Sequence, residues 1–301
     1  MQWRLIRDAE TLELSDRAPY DVVSVDNVGL GPVRRLTERG PFQVGVSDAG
    51  YRFDARVVNL VVVSMSDSKA LADGARDDLF WYLRPADDSF VLQCTRDDGA
   101  LRQLDVHATN IVDAPINEDD RMSGFQRYAL QLMAAFPFWY DPEFGYWVVL
   151  GGSDPEQGGT NPNQTNGYEV PTAVPTITVE ASGIDYSFPV EYAGTADSFP
   201  LITIYGPASG VVIENTTAGA VLSLPNLAIS AGEYIEIDLA FDAKTIVDDE
   251  GANQIAELAT TSDIVTWRLV PGTNDIRFTV GSGATEDTGM KITYRIQYIS
   301  L

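Results

Sequence analysis

Arg56–Met65 reads RVVNLVVVSM, and Ser66–Pro85, which follows, reads SDSKALADGARDDLFWYLRP. The first ten residues are rich in β-branched side chains and apolar on both parities, which suits a strand buried on both faces. Ser66 or Asp67 can then cap a helix, with Asp67 near its positive end. Ala70, Leu71, Gly74, Ala75, Asp78, Leu79 and Tyr82 step by threes and fours, an amphipathic helical stripe. Pro85 stops it. Working outward, Asp21–Val25 is a short β-branched run. Ser89–Arg96 and Ala100–Ala108 flank Asp97-Asp98-Gly99, a hairpin signal. Gly124–Ala135 is helical by propensity, but Phe125, Tyr128, Leu130 and Leu132 also suit a strand. Strand is preferred because the segment runs directly into an extended aromatic stretch. Asp26–Phe42 carries scattered Gly and Pro, three arginines (Arg34, Arg35, Arg39) and little periodicity, and reads as a long loop. The first part of the chain is therefore strands around one helix.

Residues 151–167, GGSDPEQGGTNPNQTNG, contain no aliphatic or aromatic side chain and cannot contribute to a core. They divide the chain into an expected first domain at 1–150, a linker at 151–169 and a second domain at 170–301. The second domain is nearly all short strands: Thr176–Ala181, Tyr186–Tyr192, Pro200–Tyr205, Val211–Asn215, Ala220–Leu224, Glu233–Asp238, Thr245–Val247, Thr266–Leu269, Asp275–Val280 and Lys291–Tyr298. Gly, Pro and Asx turns separate them, Pro271-Gly272-Thr273-Asn274 among them. Glu233–Leu239, EYIEIDL, alternates acid and apolar residues as a half-solvated strand does. Such spacing argues for an antiparallel sandwich. The fold class expected for the whole is mainly β, with an α+β N-terminal domain.

Composition narrows the function. The chain has 301 residues, 45% of them hydrophobic and 21% charged, enough to bury a core. Its longest apolar runs are far short of a membrane-spanning helix, and residues 1–25 carry acids and no apolar core of a secretory signal. A single cysteine, Cys94, excludes an internal disulfide framework. A single histidine, His107, excludes a multi-histidine zinc centre from this chain alone. The net charge is −24, of which residues 151–301 carry −15. Such a chain repels phosphate backbones, so sequence-specific nucleic-acid binding is not expected.

The candidate chemistry is sparse. Asp77-Asp78, Asp87-Asp88, Asp97-Asp98, Asp119-Asp120 and Asp248-Asp249 are read as solvated acids, because adjacency in sequence does not place two carboxylates across a cleft. Asp248-Asp249-Glu250-Gly251 lacks the alternation of a calcium loop and reads as an acidic turn. His107 and Cys94 read as strand residues, and no nucleophile elbow, phosphate loop or dinucleotide fingerprint occurs. No catalytic, cofactor or metal site is expected. Two clusters stand out. Phe136, Phe138, Trp139 and Tyr140 sit just before the linker, as a core plug or an inter-domain contact. Arg34, Arg35 and Arg39 are either ordinary surface arginines or contacts to an acidic neighbouring subunit.

Taken in order, several segments resemble the distal tail proteins of long-tailed, siphovirus-type phages. They are Asn27-Val28-Gly29-Leu30-Gly31 with the arginine loop, Tyr51–Leu60 with Arg56 opening the strand, Leu79–Pro85 before a hairpin, and Pro137–Pro142. In the second domain they are Gly194–Pro200, Ile204–Ala208, Ile213–Thr217, Gly232–Asp238, Leu269–Asn274 and Tyr294–Tyr298. The resemblance implies a tail-tube-like β-barrel domain with one helix, followed by a galectin-like β-sandwich. It implies a structural, non-enzymatic hub that forms a ring, a hexamer in this family, at the distal end of the virion tail after synthesis in the host cytoplasm. Its partners would be the tail-tube protein on one side and the tail-tip hub and receptor-binding proteins on the other, with DNA passing through and no membrane insertion. Arg34, Arg35, Arg39 and Arg56 become candidate inter-subunit contacts, and residues 26–43 are expected to order only on assembly. The alternative is a carbohydrate- or receptor-binding sandwich using Tyr186, Phe188, Tyr192 and Tyr205.

Overall fold

The structure, a computed structural model, describes residues 1–15, 19–85, 88–113, 124–150, 183–285 and 287–301. It divides into two units, 1–142 with 298–301, and 143–297. The expected linker at 151–169 and the expected strand Thr176–Ala181 lie outside the described residues.

The first unit starts with β1 (Gln2–Arg7) and β2 (Glu10–Glu13), joined by Asp8 and Ala9, both at positive φ. That backbone matches the twist of a two-residue hairpin without a glycine to ease it. There follow β3 (Tyr20–Asp26), β4 (Val33–Glu38), β5 (Ser47–Phe53), β6 (Arg56–Met65), α1 (Lys69–Leu83), β7 (Phe90–Thr95), β8 (Leu101–Asp113), β9 (Phe125–Ala134) and the first four residues of β10 (Trp139–Leu150). Antiparallel ladders run β2–β1–β7–β8–β9–β6–β3. β8 makes the turn between two sheets: Leu101–Val106 pairs with β7, then a register shift at Ala108/Asn110 sends His107–Asp113 against β9. A bulge bends a long strand in this way. The curled sheet packs on α1 and buries Trp3, Leu5, Leu60, Leu79, Phe90, Leu104, Leu130 and Trp139.

Three expectations change here. β6 is antiparallel to both neighbours and buries one face, Val58, Leu60 and Val62, while Val57, Asn59 and Val61 are half-exposed. The helix is capped by Ser68, whose Oγ accepts from the Leu71 N–H, rather than by Ser66 or Asp67. Its buried face is Ala72, Ala75, Leu79, Tyr82 and Leu83, leaving Leu71 exposed. No basic residue lies in the last helical turn; Arg7 of β1 supplies that charge from outside, donating to the carbonyls of Tyr82 (2.7 Å) and Arg84 (3.0 Å). The Asp97-Asp98-Gly99 hairpin and the β9 strand are as read from sequence.

The second unit holds β11 (Ile184–Tyr192), β12 (Leu201–Tyr205), β13 (Ala208–Asn215), β14 (Ala220–Ile229), β15 (Tyr234–Asp238), β16 (Thr245–Asp248), β17 (Gly272–Ser282) and β18 (Gly289–Tyr298). One antiparallel sheet runs β11–β17–β13–β14 and a second runs β16–β15–β12–β18. Alternate residues meet in one core, with Val190, Ile213, Leu222, Ile276 and Phe278 from the first sheet and Ile202, Ile204, Ile237 and Ile292 from the second. Thr266–Leu269 forms no strand; it contributes the buried Trp267 and a single bridge, Leu269 to Ser198. Tyr192 closes one end of the unit. Its hydroxyl donates to the Ala196 carbonyl and accepts from the Gln297 N–H, both at 2.8 Å. A Cβ on Gly194 would stand 2.2 Å from that hydroxyl, so only glycine fits.

Candidate assembly surface

Within Asp26–Phe42, expected to be a long loop, Val33–Glu38 instead forms β4, which pairs with β5 as a separate two-stranded sheet. Every residue of β4 is exposed. Phe42 and Val44 at the tip are fully exposed, at 100% and 101%, and Leu30, Val33, Leu36, Val46 and Tyr51 are exposed as well. A two-stranded hairpin is marginal in water on its own, and an apolar set of this density on one projection marks a contact surface. Arg34 and Arg39 are exposed on it and make no ion pair among the described residues. Arg35 pairs with Asp48 at 3.2 Å and lies over the Tyr51 ring. Arginine beside exposed aromatic and aliphatic groups, in a chain of net charge −24, suits an acidic partner surface with apolar pockets.

The base of this arm is built differently. Arg56, expected among the inter-subunit contacts, is completely buried. Its Nε donates to the Pro137 carbonyl (2.7 Å), its Nη1 to those of Asn27 (2.7 Å) and Gly29 (2.9 Å), and its Nη2 to that of Ile299 (2.7 Å). With no exposed surface it has nothing to offer a neighbouring subunit and is an internal clamp. Burial pulls its pKa down to about 10, and among the described residues no carboxylate pairs with it. The glycines and asparagine in Asn27–Gly31 serve this clamp. Asn27 sits at φ +66° and its side chain donates to the Val57 carbonyl, while a Cβ on Gly31 would crowd Arg56 Nη2 at 3.2 Å.

The aromatic cluster separates into two roles within the first unit. Phe138 packs edge-on against Phe53, the last residue of β5, at 4.9 Å, and Phe136 packs on Phe138 at 5.2 Å. Trp139 is buried in the core against Trp3, and the Tyr140 hydroxyl bonds Asp105. Phe136 and Phe138 thus brace the arm's second leg.

Other candidates stay apart. His107 lies in β8 facing Met133, and Cys94 is buried, its thiol pushed up to about 11 by that burial. Asp248 accepts from the Ala252 N–H and from Gln254 Nε2, both at 2.7 Å, which lowers its pKa and closes a turn. Asp87 and Asp119-Asp120 lie outside the described residues. A shallow acidic groove in the second unit is lined by Leu227, Tyr234, Asp248, Asp249, Glu250 and Glu257. Among the aromatics considered for sugar stacking, Phe188 and Tyr192 are buried in the sandwich core, so they present no platform.

The described residues thus form a curled sheet packed on one helix with a separate two-stranded hairpin, and a two-sheet antiparallel sandwich. Over 98% of both chains the structure is similar to the Dit protein of phage SPP1, described as a paradigm of hub adsorption apparatus in phages infecting Gram-positive hosts, with a TM-score of 0.64 and 14% identity. At that identity the likeness is one of fold. Weaker likenesses, over 97% of both chains, are to the phage P2 baseplate in its activated conformation with Ca (TM-score 0.47, 10% identity) and with Sr (0.46, 11%). No protein-family model matches the chain, and no curated protein matches it.

Proposed function

We propose that this chain is a structural, non-enzymatic component of a phage tail tip, whose copies close into a ring of six joining the tail tube to the tail-tip hub and receptor-binding proteins. The observation that carries the reading is the fold shared along 98% of the chain with a hub protein of that kind. The arm supports it: a hairpin with exposed Phe42 and Val44 and exposed Arg34 and Arg39 fits an acidic second copy of this chain. So do the sheet edges, since among the described residues β2 pairs only with β1 and β3 only with β6, leaving backbone edges for another copy to cover. In the ring, the excess of acids keeps a passing genome from sticking to the lumen. Class-averaged electron micrographs of the purified protein test the reading. Closed rings are expected, alone or on added tail tubes. A chain that remains monomeric in both conditions overturns it.

A further inference from the structure

The arm's first leg leaves the body at Asn27–Pro32. Besides the Asn27 side chain on the Val57 carbonyl and the Asp54 N–H on the Pro32 carbonyl, three bonds hold that leg at the clamp. Two are the Arg56 Nη1 bonds to the carbonyls of Asn27 and Gly29. The third is the Leu301 N–H, which donates to the Val28 carbonyl at 2.9 Å. The same guanidinium holds the tail through the Ile299 carbonyl. Residues 299–301 and the root of the arm are therefore two sides of one clamp, with Arg56 between them. Upstream, Tyr298 lies 3.6 Å under the Arg102 guanidinium, which also faces Asp141 at 3.6 Å, so the tail is seated before it reaches the clamp.

From this geometry we propose that residues 299–301 are a latch that decides whether the arm is formed. Among the described residues the β4–β5 ladder makes no strand pairing to the rest of the sheet, and an isolated two-stranded hairpin is marginal in water. What keeps its legs in register is the root: the clamp on the first leg, the Asp54 N–H donating to the Pro32 carbonyl, and Phe53 against Phe138 on the second. Removing the tail takes away one of the four acceptors of a buried cation and the one N–H holding Val28. The guanidinium then turns toward water, and Asn27 and Gly29 lose their donor. The latch continues strand β18 of the second unit with no intervening loop.

Hydrogen exchange read by mass spectrometry tests this on the full chain and on a variant ending at Tyr298. In the variant, peptides covering β4 and β5 are expected to exchange at least about tenfold faster, as befits a sub-global opening. Peptides covering β6, β7 and β9 are expected to keep their protection. Unchanged protection of the arm overturns the proposal, and so does an equal loss across the whole first unit, which would make the tail an ordinary core segment. If the variant does not fold, the intact chain decides. With denaturant raised below the unfolding transition, the 299–301 amides and the β4–β5 amides should open together, ahead of β6. Opening rates more than about tenfold apart refute the latch. This readout needs no ring, so it can fail while the assembly reading stands, and the reverse.

Discussion

Replacing Phe42 and Val44 together by aspartate separates assembly from folding. Both side chains are fully exposed, so neither has packing to lose within its own chain. The monomer's unfolding free energy should move by no more than about 0.5 kcal/mol. On assembly the account buries both. Burying a valine or phenylalanine side chain is worth about 1.5–3 kcal/mol each, so each subunit contact loses roughly 3–6 kcal/mol. Some of that is never realised, because ordering the side chains at an interface costs about 0.5–1.5 kcal/mol apiece. A net loss of about 3 kcal/mol weakens each contact more than a hundredfold, and a closed ring loses it at every contact. Native mass measurement on a concentration series reads the assembly, and urea unfolding reads the monomer. Assembly that survives the double substitution removes the arm tip from the interface. A monomer destabilised by more than about 1 kcal/mol shows instead that the tip packs on its own chain.

Arg56→Ala takes the donor from four carbonyls, that of Pro137 among them buried, and should cost the first unit about 2–3 kcal/mol in urea unfolding, while the second unit's transition stays put. Equal shifts in both transitions would contradict the placement of the clamp. Gly194→Ala drives a methyl into the Tyr192 hydroxyl and the Gln297 carbonyl and should destabilise the second unit by about 3 kcal/mol, leaving the first untouched. Cys94 should resist a thiol reagent at pH 8 until the first unit unfolds. Its pKa is raised on folding, to about 11, so its contribution to stability is fully present below the unfolded value near 8.5 and is lost as pH rises through 11. Fast labelling of the native protein at pH 8 would refute its burial.

The sequence carried the buried strands well and the exposed ones poorly, for one reason. β6, β9 and the sandwich strands alternate or run apolar because one of their faces is in a core, and that demand is written into the residues. β4 and β5, VRRLTE and SDAGYRF, have no buried face in the chain, so no periodicity marks them, and β4 falls in a segment, Asp26–Phe42, that reads as loop. Phe42, Val44 and Val46 were a usable signal, apolar residues stranded among Gly, Pro and charge, but only if read as contact surface. The cap lies one or two residues beyond the expected Ser66 or Asp67 because Ser66, Asp67 and Ser68 are all competent caps, and only the fold selects Ser68. Arg56 reads from sequence as the residue opening a strand and as a candidate inter-subunit contact. Its role depends on Pro137 and Ile299, which are 81 and 243 residues away, and sequence-local reading does not reach such partners.

The most direct test is a density map of the tail extremity of particles carrying this chain, at a resolution that traces strands. The account expects the chain there as a closed ring, with residues 33–53 of each copy lying on an acidic surface of the next. Finding the chain elsewhere in the particle, or finding the ring with that hairpin projecting into solvent, would contradict it.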